Sequence, residues 1–257
     1  MIDLTNRVAL VTGGSRGIGR SIAIKLAEAG ADVLITYLNA PADAQEVAGE
    51  IMTLGRKTLV LKADLSEEED IKHLVDTVNE HFGQLDILIS NAAGGGFRPA
   101  MNVSTHNFEY AMNLNARAFM LLMQEAAPLL KRTSERPGRA KAISISSFGA
   151  VRALPMYGAI GATKAALEAL TRHFALELGN DGINVNCIRA GVVDTGAIRS
   201  LPNAEELLQA RAQRSLADSR NVTPEDVAKV ALFLASELSD MVQGETVVVD
   251  GGTSLHP

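Results

Sequence analysis

"VTGGSRGIGRSIA" (residues 11–23) sets Gly13, Gly17 and Gly19 between a β-branched run and a stripe of helical period. Glycines in that position permit a tight turn. They also let backbone N–H groups and the start of the helix approach a pyrophosphate. With Ser15, Arg16 and Ile18 completing the loop, the unit reads as a dinucleotide cradle. The helix it opens carries Ile18, Ile22 and Leu26 on one face and meets Gly30 as a C-terminal cap.

Outward from this unit the same alternation repeats. Strands are expected at 7–12, 32–36, 58–63, 85–90, 140–146, 183–188 and 245–250. Most are continuous apolar runs, the pattern of parallel strands covered on both faces. Between them lie helical stripes such as Val47, Ile51 and Leu54. Ser66 and Glu69 are spaced as a capping box, and Thr223 with Pro224 marks another helix start. The expected fold is α/β: a doubly wound, three-layer arrangement around a seven-stranded parallel sheet. No internal repeat or linker divides residues 1–257, so one domain is expected. A polar turn is expected at 131–139, and a long, partly helical segment at 196–220.

The chain has 257 residues, 47% hydrophobic and 21% charged, with a net charge of −6. That composition suits a packed core and offers no general attraction to nucleic acid or an anionic membrane. Cys187 is the single cysteine, read as a small buried hydrophobe, so no intrachain disulfide can form. No signal segment, membrane-length apolar run or metal-ligand spacing is evident, and a cytoplasmic location is expected.

The nucleotide's identity is read after the second strand. "ITYLNAP" (35–41), including Tyr37 and Leu38, lacks the carboxylate that NAD binders usually place on the ribose 2′-hydroxyl. Arg16 can meet a 2′-phosphate or remain a solvated charge. NADPH is expected over NADH.

The glycine spacing, Asp64 after the third strand, "SNAAG" (90–94), "NARAFMLLMQ" (115–124), "SISSFG" (144–149) and "VVVDGG" (247–252) together resemble the short-chain dehydrogenase/reductase superfamily over essentially the whole chain. The resemblance implies that Asp64 and Leu65 contact the adenine. It also implies that Asn91, Ala92, Ala93 and Gly94 line the cofactor, with Gly191, Val193 and Thr195 beside it. Asn115 would hold a water near an active lysine. Two departures stand out: Ala190-Gly191 replaces the usual Pro-Gly, and Ser90-Asn91-Ala92-Ala93 replaces Asn-Asn-Ala-Gly.

The ketone-reducing branch of that superfamily pairs Tyr-x3-Lys. Here four residues before Lys164 stands Ile160, and seven before stands Tyr157. On a helix either spacing brings the tyrosine near the lysine's face, about 6 Å or about 10.5 Å away along the axis. The Tyr-x6-Lys pair and its "RALP" flank resemble enoyl-thioester reductases, and "NAAGGGFRPAM" and "LPNAEELLQARAQRS" resemble the NADPH-dependent enoyl-acyl-carrier-protein reductase III group. The implied chemistry is reduction of a trans-2-enoyl thioester, on acyl-carrier protein or CoA, with Tyr157 stabilising the oxyanion. Lys164 would hold the ribose and lower the tyrosine pKa. Ser147 either assists or only satisfies backbone groups. A carbonyl or other enoyl-CoA reductase, or a silent NADPH-binding protein, are the competing readings.

Two further expectations concern the surface. Apolar residues around helices 113–130 and 164–178 suggest a homo-oligomer, a tetramer foremost. Segment 196–220 is expected to act as a lid over the acyl chain, bending at Pro202–Asn203, with Arg199, Arg211, Arg214 and Arg220 facing an acidic carrier.

Overall fold

The computed structural model describes residues 2–134 and 138–256. All seven expected strands form: β1 (Val8–Val11), β2 (Asp32–Tyr37), β3 (Thr58–Lys62), β4 (Ile87–Ser90), β5 (Ala140–Ser147), β6 (Ile183–Ala190) and β7 (Thr246–Val249). They pair in parallel in the order β3-β2-β1-β4-β5-β6-β7. The order reverses between β1 and β4, and a crevice at the carboxyl ends follows from that switch.

The helices are α1 (Gly17–Glu28), α2 (Pro41–Thr53), α3 (Glu68–Phe82), α4 (Thr105–Met112), α5 (Ala118–Ser134), α6 (Gly158–Leu178), α7 (Gly196–Arg199), α8 (Ala204–Arg214) and α9 (Pro224–Ala235). Side chains alternate across the sheet. Ala9, Val11, Val33 and Ile35 meet α1, α2 and α9 in one core, while Leu10, Leu34 and Leu88 meet α3, α5 and α6 in the other. Three layers result.

Several local expectations hold. Gly30 follows α1 at φ +105°, where a side chain would be strained. Thr223 caps α9 in a reciprocal box with Asp226. Others are corrected. Ser66 does not box with Glu69, because its N–H and hydroxyl both donate to Asp64 Oδ1, at 2.9 and 2.7 Å. The nearer carboxylate captures the cap, and α3 starts without a side-chain cap. Leu54 lies past the end of α2 and is exposed rather than on the buried stripe. Of the polar turn expected at 131–139, Lys131–Ser134 finish α5 instead, and residues 135–137 lie outside the described residues. Between α4 and α5, Asn113–Arg117 form a π-helical turn, a local widening that often marks a functional position.

Candidate active site

The loop after β1 is held from both sides. Thr12 Oγ1 accepts from the N–H groups of Asn91 and Ala92 at 2.9 and 3.1 Å, and Asn91 Nδ2 donates back to the Thr12 carbonyl at 2.9 Å. Thr36 Oγ1 accepts from Gly13 N–H at 3.0 Å. A Cβ on Gly19 would stand 2.2 Å from the Gly13 carbonyl oxygen, so only glycine lets α1 approach this closely. The start of α1 has no side-chain cap and no acidic residue in its first turn. Its N–H groups and positive dipole end therefore remain available to an anionic group.

A cleft of about 470 Å³ opens over this loop. Of the sequence-expected residues, Gly13, Ser15, Arg16, Gly17, Ile18, Tyr37, Leu38, Leu65, Asn91, Ala92, Ala93, Gly94 and Thr195 line it. Gly19 is buried behind the loop. Arg16 is exposed and has no ion-pair partner among the described residues, and no carboxylate follows β2 along the cleft wall. An uncapped helix start, a glycine loop and one free cation fit a dinucleotide with an extra phosphate.

Three expected contacts fall elsewhere. The Asp64 carboxylate is turned onto Ser66 and does not line the cleft. Gly191 packs against Asp250, where a Cβ would come within 2.9 Å. Val193 is buried and bridges to Val222. Tyr110 and Leu114, one helical turn apart, line the cleft although sequence reading passed over them; their i, i+4 spacing beside Asn115 was the available signal.

Tyr157 is not in the helix. It occupies the N-cap position of α6 at φ −112°, ψ 3°, so the helical-angle expectation does not apply to it. Pro155 precedes it, and Met156 sits at φ +60°, a conformation costing about 1 kcal/mol or more outside glycine. This turn throws the ring over Gly149, where a Cβ would stand 2.3 Å from the ring, and beside Phe97, at 5.8 Å between centroids. Ser147 accepts from Gly149 N–H at 3.3 Å, so its backbone-satisfying reading holds. Burial pushes the phenol pKa up, and the nearby Ser147 hydroxyl, which draws it down, offsets this only in part. That is the reverse of the lowering expected from Lys164. Tyr157 lines a neighbouring recess of about 480 Å³ rather than the nucleotide cleft. Phe97 carried no periodic or spacing signal.

Lys164 is buried on α6 and donates to the Ile145 carbonyl at 2.8 Å. Burial lowers its pKa to about 8. Ile160, at the position of a Tyr-x3-Lys tyrosine, is buried against Gly95, where a Cβ would lie 2.8 Å from its side chain. Asn115, carried inward by the π turn, donates to the Gly94 carbonyl and Thr163 and accepts from Gly94 N–H, each at 2.9 Å. It joins the cleft loop to the residue before Lys164.

A family model described as "Enoyl-(Acyl carrier protein) reductase" matches residues 13–254. The chain belongs to the short-chain dehydrogenase/reductase superfamily. Within the superfamily it is 34% identical to a 1-cyclohexenylcarbonyl-CoA reductase of Streptomyces collinus, over 97% of this chain and 87% of that one. It is also 34% identical to a hydroxynaphthalene reductase-like protein of Metarhizium robertsii, over 98% of this chain and 96% of that one. A short-chain dehydrogenase of Burkholderia cenocepacia, solved in complex with NADP, superposes with a TM-score of 0.88 at 34% identity, covering 98% and 99% of the two chains. Ile160 stands where the ketone-reducing branch would place the tyrosine of Tyr-x3-Lys. No helix among the described residues is long and apolar enough to cross a membrane.

Proposed function

We propose that this reductase uses NADPH to saturate the trans-2 double bond of an enoyl thioester, on an acyl-carrier protein, in fatty-acid synthesis. The observation that carries this reading is the position of the phenol. Tyr157, seven residues before Lys164 and outside the helix, is the tyrosine whose phenol feels the Ser147 hydroxyl, while the ketone-reductase position holds Ile160.

The cofactor, when bound, supplies a hydride. The glycine loop and the start of α1 would hold its pyrophosphate, Arg16 its 2′-phosphate, and Lys164 a ribose hydroxyl. Asn91 to Gly94 and Thr195 bound the cleft around it. The Tyr157 phenol, protonated at neutral pH from its ordinary pKa of 10.0 and held further from ionisation by burial, would donate to the thioester oxygen as negative charge develops there. Ser147 orients the phenol. Lys164 remains largely cationic at pH 7 and balances that charge.

A second reading is reduction of a CoA thioester, favoured by the CoA reductase among the relatives. Parallel NADPH-consumption assays with crotonyl-carrier, crotonyl-CoA and acetoacetyl thioesters test both. Turnover confined to the acetoacetyl substrate would overturn enoyl reduction.

Residues 1–257 are proposed to act as one domain, and as a homotetramer. Of the helix residues expected at an interface, Phe119, Leu122, Met123 and Leu167 are buried inside this chain, and Phe174 packs edge-on to Phe119 at 5.8 Å. Support for assembly rests instead on Leu176, 80% exposed on α6, and on the outer edge of β7, where Val248 is exposed. Light scattering returning the 27.2 kDa of one chain at micromolar concentration would overturn the oligomer.

A further inference from the structure

Behind the reacting groups lies a buried acidic side chain that the mechanism above does not use. Glu168, one helical turn after Lys164, is 4% exposed. Its Oε1 accepts from the Ser146 hydroxyl at 2.6 Å and from Arg189 Nε at 2.8 Å, and its Oε2 pairs with Arg189 Nη2. Ser146 and Arg189 are direct partners in the β5–β6 ladder. One carboxylate thus joins α6, β5 and β6.

The place where it joins them is what matters. Ser146 sits between Ile145, whose carbonyl accepts from Lys164, and Ser147, whose hydroxyl accepts from the N–H of Gly149, on which the Tyr157 ring packs. Successive residues of β5 therefore meet Lys164, Glu168 and the seat of Tyr157. Ser144, bonded to Thr171 at 2.9 Å, extends the same seam. Arg189 carries the tie to the end of β6, from which the chain runs on to Thr195 on the cleft wall.

A buried ion pair adds little net stability compared with apolar residues of the same volume, because desolvation offsets the attraction. Directional bonding is what it contributes that an apolar pair would not.

We propose that Glu168 is a positioning residue: through Ser146 and Arg189 it fixes the end of β5 against α6, so that Ser147 and Lys164 meet the Tyr157 phenol and the substrate in register. This rests on the assignment of Tyr157 and Lys164 made above. Nothing in it requires Glu168 to touch the substrate.

Two variants test it on whichever thioester the wild type turns over. Ser146→Ala cuts the tie to β5 and leaves the Glu168–Arg189 pair intact. Glu168→Met with Arg189→Met replaces the pair by apolar volume, so no charge is left buried alone. The expected result for both is a Tm within a few degrees of wild type, kcat lowered about tenfold or more, and KM and NADPH affinity within twofold. Ser146→Ala with kcat within twofold of wild type would overturn the proposal. So would a loss of kcat that tracks a loss of folded protein, which marks a structural role only. Tyr157→Phe assayed alongside separates the two levels: full activity in that variant refutes the tyrosine assignment itself, whatever the Ser146 result.

Discussion

The main-chain N–H of Arg98 donates to the carbonyl of Met156 at 2.8 Å, fastening the loop that carries Phe97 to the turn that carries Tyr157. The strained backbone of Met156 and the aromatic contact across the phenol belong to one small unit. Phe97 packs at a 40° tilt against one face of the ring, and burial raises the phenol pKa. Phe97→Ala admits water to that face, so the Tyr157 pKa should move down toward its ordinary value of 10.0. Ultraviolet titration of the wild type and Phe97→Ala, with Tyr157→Phe of each as blank, reads it. No downward movement would mean that Phe97 does not shield the phenol.

Tyr157→Phe removes the donor and almost no volume. Turnover should fall by about 10²–10³ with NADPH affinity unchanged, the usual cost of losing one oxyanion donor. Steady-state kinetics beside a nucleotide titration decide it, and a rate within twofold of wild type would remove Tyr157 from the chemistry.

Burial holds the folded Lys164 pKa at about 8, below its ordinary value of 10.5. Between those values the unfolded chain binds more protons, so this group's contribution to stability rises with pH across that window. Below about pH 8 the buried cation costs stability in full. Lys164→Met should therefore gain stability relative to wild type at pH 7 compared with pH 10, as denaturant melts at the two values would show. Comparison with the variant matters because Cys187, raised to about 11 from 9.0, drives stability the opposite way between those two pH values in both proteins. Turnover should fall above about pH 8 as the cation is lost.

Gly19→Ala places a methyl 2.2 Å from the Gly13 carbonyl. The loop must shift away from α1, and nucleotide affinity should drop at least about tenfold, ~1.4 kcal/mol. Fluorescence titration with NADPH checks this; unchanged affinity would mean that the loop geometry is not what holds the cofactor.

The segment 196–220 folds as α7 and α8 with the expected break at Pro202 and Asn203. Arg199 is spent on Asp194 and Arg220 on Asp226, while Arg211 lies 5.8 Å over the Phe148 ring, leaving Arg214 as the arginine most open to a carrier. Leu208 alone of its leucines is buried. As a lid, the segment should show weak amide protection alone and gain it with NADPH and substrate. Protection that is high without ligand and unchanged by it would leave a static surface pair.

All seven strands were legible because a parallel strand covered on both faces must be apolar throughout, and runs such as "ALVT" and "ILIS" have no other use. The glycine loop was legible for a similar reason, since only glycine fits there. Ser66 misled because local spacing does not show that Asp64, two residues away, competes for the same donors. Tyr157 was placed on a helix that begins one residue later, a boundary decided by Pro155 and by the left-handed Met156. The apolar surfaces of α5 and α6 were counted as interface although neighbouring helices of the same chain claim most of them. Contacts between distant segments, Phe97 on Tyr157 or Glu168 on Arg189, leave no mark in a single sequence.

Tyr157 is the N-cap of α6 and its carbonyl accepts from Gly161 N–H at 2.7 Å, so the residues between it and Lys164 are all helical, while its own non-helical backbone and the turn before it set where the ring points. Residues can be inserted or removed in the stretch from Gly149 to Met156 without rotating Lys164, Glu168 or Thr171 away from β5. The aim of the Tyr157 ring is thus set by the turn before it, while the place of Lys164 is set by the helix. Exchanging that turn together with Ile160→Tyr would move the phenol along the same helix face without rebuilding the sheet.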